Sequence, residues 1–140
     1  MTDRHSEIED GEAVQVVKQT TVYADGENIR KGRFVTLKST NTVWPPKAVE
    51  ADSGEPIFGA AIEAITSGQH GPVLEVGVMK METGGVFNAG APVKTDNEGL
   101  PVKALAADDG LSGGRAYEHS TASGDKILVF VCPDPHGIGT

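Results

Sequence analysis

The sequence predicts an all-β protein with little helix: a compact β-barrel or β-sandwich built from two similar half-repeats, with a flexible N-terminal arm. Three observations carry this expectation. A stretch of the chain returns later in altered spelling, β-branched residues alternate at strand spacing, and turn formers are frequent while aromatic residues make up only 5% of the chain. A core with so few rings must be assembled from Val, Ile, Leu and Ala, which favours support from neighbouring subunits.

The repeat comes first because a period in the sequence fixes the architecture. Gly59–Met81, GAAIEAITSGQHGPVLEVGVMKM, is echoed by Gly114–Val131, GRAYEHSTASGDKILVFV. In both, Gly is followed two residues on by Ala (Ala61, Ala116), then by a large apolar residue (Ile62, Tyr117) and Glu (Glu63, Glu118). A Ser-Gly turn follows (Ser67-Gly68, Ser123-Gly124), and an apolar run closes each copy. Upstream, Ile29-x-x-Gly32-x-x-Val35 is matched by Phe87-x-x-Gly90-x-x-Val93. Type, order and offset hold together, and the reading is one β domain over residues 13–132, with half-repeats of about 24–81 and 82–132. Residues 1–12 are read as a mobile acidic arm and 133–140 as an exposed tail.

Taken in order, Ala13–Tyr23 alternates β-branched residues with neither face cleanly apolar, the pattern of an edge strand or of one that pairs with another subunit. Asp25-Gly26 marks a turn, and Arg33–Leu37 a short strand. Trp44-Pro45-Pro46 ends regular structure, since two prolines remove two amide donors. Trp44 itself reads as a half-buried ring over one end of the barrel, or as an interface anchor. Ala60–Ile65 carries helix formers, but its echo Arg115–Thr121 does not, so both are expected as strands. Leu74, Val76 and Val78 are expected on one face of the next strand, and Asp96–Gly99 closes a hairpin.

Composition excludes several functions. Lys and Arg number 12 against 20 Asp and Glu, a net charge of −8, and no basic stripe exists to displace counterions from nucleic acid. Acidity is concentrated in the arm, where Asp3, Glu7, Glu9, Asp10 and Glu12 face Arg4 alone. Cys132 is the single cysteine, so no internal disulfide forms, and its place after an apolar run suggests a buried, inert thiol. The N-terminus lacks the apolar core of a signal peptide, and no stretch approaches the ~18 apolar residues of a membrane span, so synthesis in the cytoplasm as a soluble protein is expected.

No reaction centre emerges, and no metal or cofactor is expected. His5, His70, His119 and His136 are scattered without ligand spacing. Glu63 and Glu118 are the one carboxylate pair on which a small β-fold hydrolase would be built, but repetition alone accounts for their equivalence. Nucleophile elbow, phosphate loop and dinucleotide fingerprint are all missing.

The glycine, Gly-x-Ala-x-Glu and Ser-Gly patterns, spread over Val14–Val131, resemble those of the small duplicated β proteins that decorate the capsids of tailed viruses, the head decoration or cement proteins. The resemblance implies a non-enzymatic virion protein on the capsid exterior that bridges major capsid subunits, often as a homotrimer, with an N-terminal arm reaching the shell. Its partners would be the major capsid protein and further copies of itself. On that basis the expected contacts are Glu7, Ile8, Glu9 and Asp10 in the arm, Val14, Val16 and Val22 in the first strand, and Trp44. The chain departs from the pattern in its acidity, which also suits a salt-rich habitat. The alternative is a tail or baseplate β-module that binds a receptor glycan.

Overall fold

A computed structural model describes residues 13–38, 44–105, 108 and 111–133. Nine strands follow in chain order: β1 (Ala13–Ala24), β2 (Phe34–Leu37), β3 (Lys47–Glu50), β4 (Gly59–Ala61), β5 (His70–Glu82), β6 (Pro92–Thr95), β7 (Pro101–Lys103), β8 (Gly114–Ala116) and β9 (Lys126–Val131). They form one sheet in the order β1-β3-β2-β4-β5-β9-β8-β6-β7, and an additional β1–β5 pairing closes the first five strands into a circuit. No α-helix occurs among the described residues, in agreement with the all-β expectation.

The strands of residues 34–82 and 92–131 pair in the same order and register. Val35 faces Gly59 as Val93 faces Gly114; Ala60 faces Leu74 as Arg115 faces Phe130. Isolated bridges join Ile29 to Ile65 and Phe87 to Ser120. Gly32 and Gly90 have φ of 77° and 86°, and each donates its amide to the following module strand, at Ala61 (2.8 Å) and Ala116 (2.7 Å). The glycine that opens each Gly-x-Ala motif is required by close approach. A Cβ on Gly59 would lie 2.4 Å from the Leu74 carbonyl oxygen, and one on Gly114 would lie 1.8 Å from that of Phe130.

β5 belongs to both series. Its first residues pair with β4 at Val73 and Leu74, and its later residues, Gly77–Glu82, pair with β9. The core divides accordingly. Val22, Ala24, Ile29, Val35, Ala48, Ala61, Ile65 and Val73 fill the circuit of the first half. The larger cluster contains the register counterparts Met81, Phe87, Val93, Ala116 and Val129, and also Phe34, Ala51, Ile57, Ala60 and Leu74 from the first half. The outer row of the first half is therefore buried by the second. Where the first core has Ala24 and Ile65, the second has Thr83 and Ser120, whose hydroxyls share one hydrogen bond at 2.7 Å.

Polar contacts reinforce the junction of the halves. The Phe34 amide donates to the Gly99 carbonyl at 2.8 Å, Arg33 Nη1 to the Glu98 carbonyl at 2.8 Å, and Thr95 Oγ1 to the Ala51 carbonyl at 3.4 Å. Arg30 grips Glu50 with Nε at 3.0 Å, Nη2 at 2.8 Å and its own amide at 2.7 Å. Burial pushes the Glu50 carboxyl up, but the Arg30 hydrogen bonds and the charges of Arg30 and Arg33 outweigh it and hold the group below the usual carboxylate range.

Four expectations are corrected. The strands expected over Ala60–Ile65 and Arg115–Thr121 are short, Gly59–Ala61 and Gly114–Ala116, because the chain bends after the Ala. Leu74 does not share a face with Val76 and Val78: it packs with Met79 and Met81, and the β1–β5 register shifts between Lys18↔Val76 and Gln19↔Leu74. Cys132 is exposed, since β9 ends at Val131 and leaves it outside the core. Trp44 is 73% exposed and not half-buried.

Candidate interaction surface

β1 begins where the acidic N-terminal segment ends, and its first half behaves unlike a core strand. Residues Val14–Gln19 are exposed on both faces, with Val17 at 66%. Register shifts between Ala13 and Gln15, and between Val16 and Lys18, set two β1 residues against one on β5 and turn side chains outward. One edge of the strand is held by β5. The other meets β3 only at Tyr23 and Ala24, so from Ala13 to Val22 it has no strand partner among the described residues. Such an edge offers a row of backbone donors and acceptors.

Glu75 fixes this segment in place. Its carboxylate accepts the Thr20 hydroxyl and lies 3.6 Å from Lys18 Nζ. Three valines, Val14, Val16 and Val17, remain in water, where each leaves apolar area available for burial worth roughly 25 cal/mol per Å².

Of the residues expected as contacts, Val14 and Val16 lie on this exposed half of β1, and Trp44 lies apart from them in the β2–β3 connection. Val22 is corrected: it is fully buried in the core of the first half and supports β1 from within. Glu7, Ile8, Glu9 and Asp10 lie outside the described residues. Val17 was missed by strict alternation, although the Val16-Val17 doublet is the kind of break in period that a bulge produces. Tyr117, at 54% exposure and stacked on Phe130 with centroids 6.2 Å apart, was passed over as a repeat marker.

The carboxylate pair finds no support as a reaction centre. Glu118 accepts the Leu128 amide at 2.7 Å, a local structural role, while Glu63 is exposed. They follow β4 and β8, and register sets them far apart along the sheet: Ile62 bonds to Pro72, Tyr117 bonds to Leu128, which faces Lys80, and the stretch of β5 from Pro72 to Lys80 spans on the order of 25 Å. Paired glycosidase carboxylates sit at about 5–9.5 Å. No three His, Cys, Asp or Glu side chains group for a metal among the described residues.

A family model described as phage cement protein matches residues 11–131. Among solved structures, the head fiber gp8.5 N base of bacteriophage phi29 is similar in fold, with a TM-score of 0.63 at 15% identity over 81% of this chain and 92% of that one. No curated protein sequence matches the chain.

Proposed function

Because the chain belongs to the phage cement protein family, we propose that it binds the outer surface of an icosahedral capsid and stabilises the shell by bridging neighbouring major capsid subunits. As a member of that family it is a capsid-associated structural protein of the virion. The observation that supports the finer reading is the first half of β1: exposed on both faces, open along one edge and continuous with the acidic segment before it. In this reading residues 1–12 form an arm that reaches basic positions on the shell, and Val14, Val16 and Val17 add an apolar contact beside it.

The energetics suit such a role. A cement protein needs many modest contacts repeated over a lattice, because linkage raises total affinity far above that of each contact. An open strand edge supplies main-chain hydrogen bonds to an extended partner, and the side chains next to it supply selectivity. We further propose that the matched strand series represent a duplicated module of residues 13–132, followed by a tail at 133–140, and that copies associate, a homotrimer being the state the resemblance implies.

The test is occupancy on expanded, undecorated capsids. Deletion of residues 1–12, and separately Val14→Ser with Val16→Ser and Val17→Ser, should each reduce the number of copies bound per capsid while leaving the circular dichroism spectrum unchanged. Undiminished occupancy in both variants would count against the reading.

A further inference from the structure

Inside the chain, one half docks on the other through two defined surfaces. The receiving surface is the outer face of the first half, with Phe34, Ile57, Ala60 and Leu74 buried and Ile62 at its margin. The covering surface comes from the second half. A Cβ on Gly113 would stand 2.6 Å from Ile57 and 3.1 Å from the Phe34 ring; one on Gly99 would stand 3.1 Å from the Phe34 carbonyl oxygen; and Thr95 bonds to Ala51.

Register gives each of these surfaces a counterpart that the chain leaves uncovered. The counterparts of Phe34, Ala60, Ile62 and Leu74 are Pro92, Arg115, Tyr117 and Phe130. Pro92, Arg115 and Phe130 line a depression of about 170 Å³, and Tyr117 stacks on Phe130 beside it. For the covering side, Leu37 stands where the second half has Thr95. Phe58 donates to Val35 as Gly113 donates to Val93, and Trp44 belongs to the connection that matches the 96–99 turn. Leu37 and Phe58 are only partly buried, and Trp44 is exposed.

We propose that these two uncovered surfaces meet between chains: the Trp44, Leu37 and Phe58 end of one copy docks on the Arg115, Tyr117 and Phe130 face of another. This rests on the duplicated-module reading above and names the surfaces through which copies associate. The occupant is a second copy because the contact already exists once within each chain, with the same strands in the same register supplying each side. The composition fits as well. Trp, Tyr and Arg are the residues that most often dominate interface energetics, and here they stand exposed on the two complementary faces. Since the two faces differ, the contact is head-to-tail and generates a closed ring where the rotation permits.

The full chain tests this without any capsid. Trp44→Glu disables one face and Tyr117→Glu the other, and both positions are exposed enough that the far-ultraviolet spectrum should not change. Sedimentation equilibrium should show self-association of the wild type, weakened about thirtyfold or more in each variant. Mixed in equal amounts, the two variants should form a 1:1 dimer and nothing larger, because the mixture retains one intact face on each partner. A monomeric wild type at 100-fold dilution steps up to about 100 μM, a variant with wild-type association, or a mixture no more associated than its components would each overturn the proposal. Capsid occupancy of the arm-deleted chain is read in a separate assay, so failure of this proposal and failure of the capsid reading remain distinguishable.

Discussion

Phe34 and Pro92 occupy the same register position in the two strand series, yet Phe34 is fully buried and Pro92 exposed. Replacing each by Ala therefore measures what the docking of the halves contributes. In Phe34→Ala the ring leaves a space beside Ile57 and Gly113, and the packed strands around it prevent its collapse. Lost transfer energy plus about 24 cal/mol per Å³ of residual cavity gives a cost of about 4 kcal/mol, within the usual range for a buried Phe. For a chain of this length that corresponds to a fall in Tm of roughly 15 °C. Pro92→Ala removes no buried contact and should change stability by less than about 1 kcal/mol, mostly through the unfolded chain. Urea titrations followed by far-ultraviolet circular dichroism read both. A loss below about 1.5 kcal/mol for Phe34→Ala, or equal losses for the two, would refute the asymmetric burial on which the reasoning depends.

Two further perturbations follow from the same geometry. Gly114→Ala sets a Cβ 1.8 Å from the Phe130 carbonyl oxygen at φ 137° and should abolish folding, whereas Gly26→Ala, at φ 82° with nothing within 4 Å, should cost only about 1–2 kcal/mol; thermal melts separate the two. Glu50→Gln should cost about 1 kcal/mol at neutral pH, a surface-pair value given that the Arg30 side chain is 51% exposed. The Glu50 carboxyl is held below its ordinary range, so its contribution is present above the unfolded carboxyl pKa and is lost as pH falls through the depressed folded value. The stability curves of wild type and Glu50→Gln should therefore converge under acid, and a difference that persists unchanged at pH 2–3 would contradict the assignment.

Much of the fold was legible because backbone constraints leave marks on sequence. Gly59 and Gly114 were visible as motif openers since a neighbouring carbonyl excludes any Cβ there, and Gly68 and Gly124, at φ 84° and 96°, since the Ser-Gly turns need the left-handed region. Ile29 and Phe87 were visible as the starts of matched segments, and each forms the isolated bridge of its half. What stayed hidden depends on what packs over a strand. Alternation gave Val22 and Val16 the same standing, but the first core encloses one and leaves the other half-exposed. Likewise the sequence repeats a row whose members are buried in one half and bare in the other, because only one of the two rows has a neighbour inside the chain. Cys132 misled for a simpler reason: an apolar run ends without announcing on which side of its last residue the core stops.

The long β1–β5 ladder has a mechanical consequence. Pairing runs from Ala13 opposite Met79 to Tyr23 opposite His70, with the bonds of the antiparallel pair lying across the strand axis. Tension applied at the N-terminus along the β1 axis therefore loads these rungs together in shear, whereas a pull across the axis opens them one after another from the Ala13 end. β5 then carries the load by its covalent backbone from the first half into the second. A fastening anchored at that end resists pulling with the whole length of its seam.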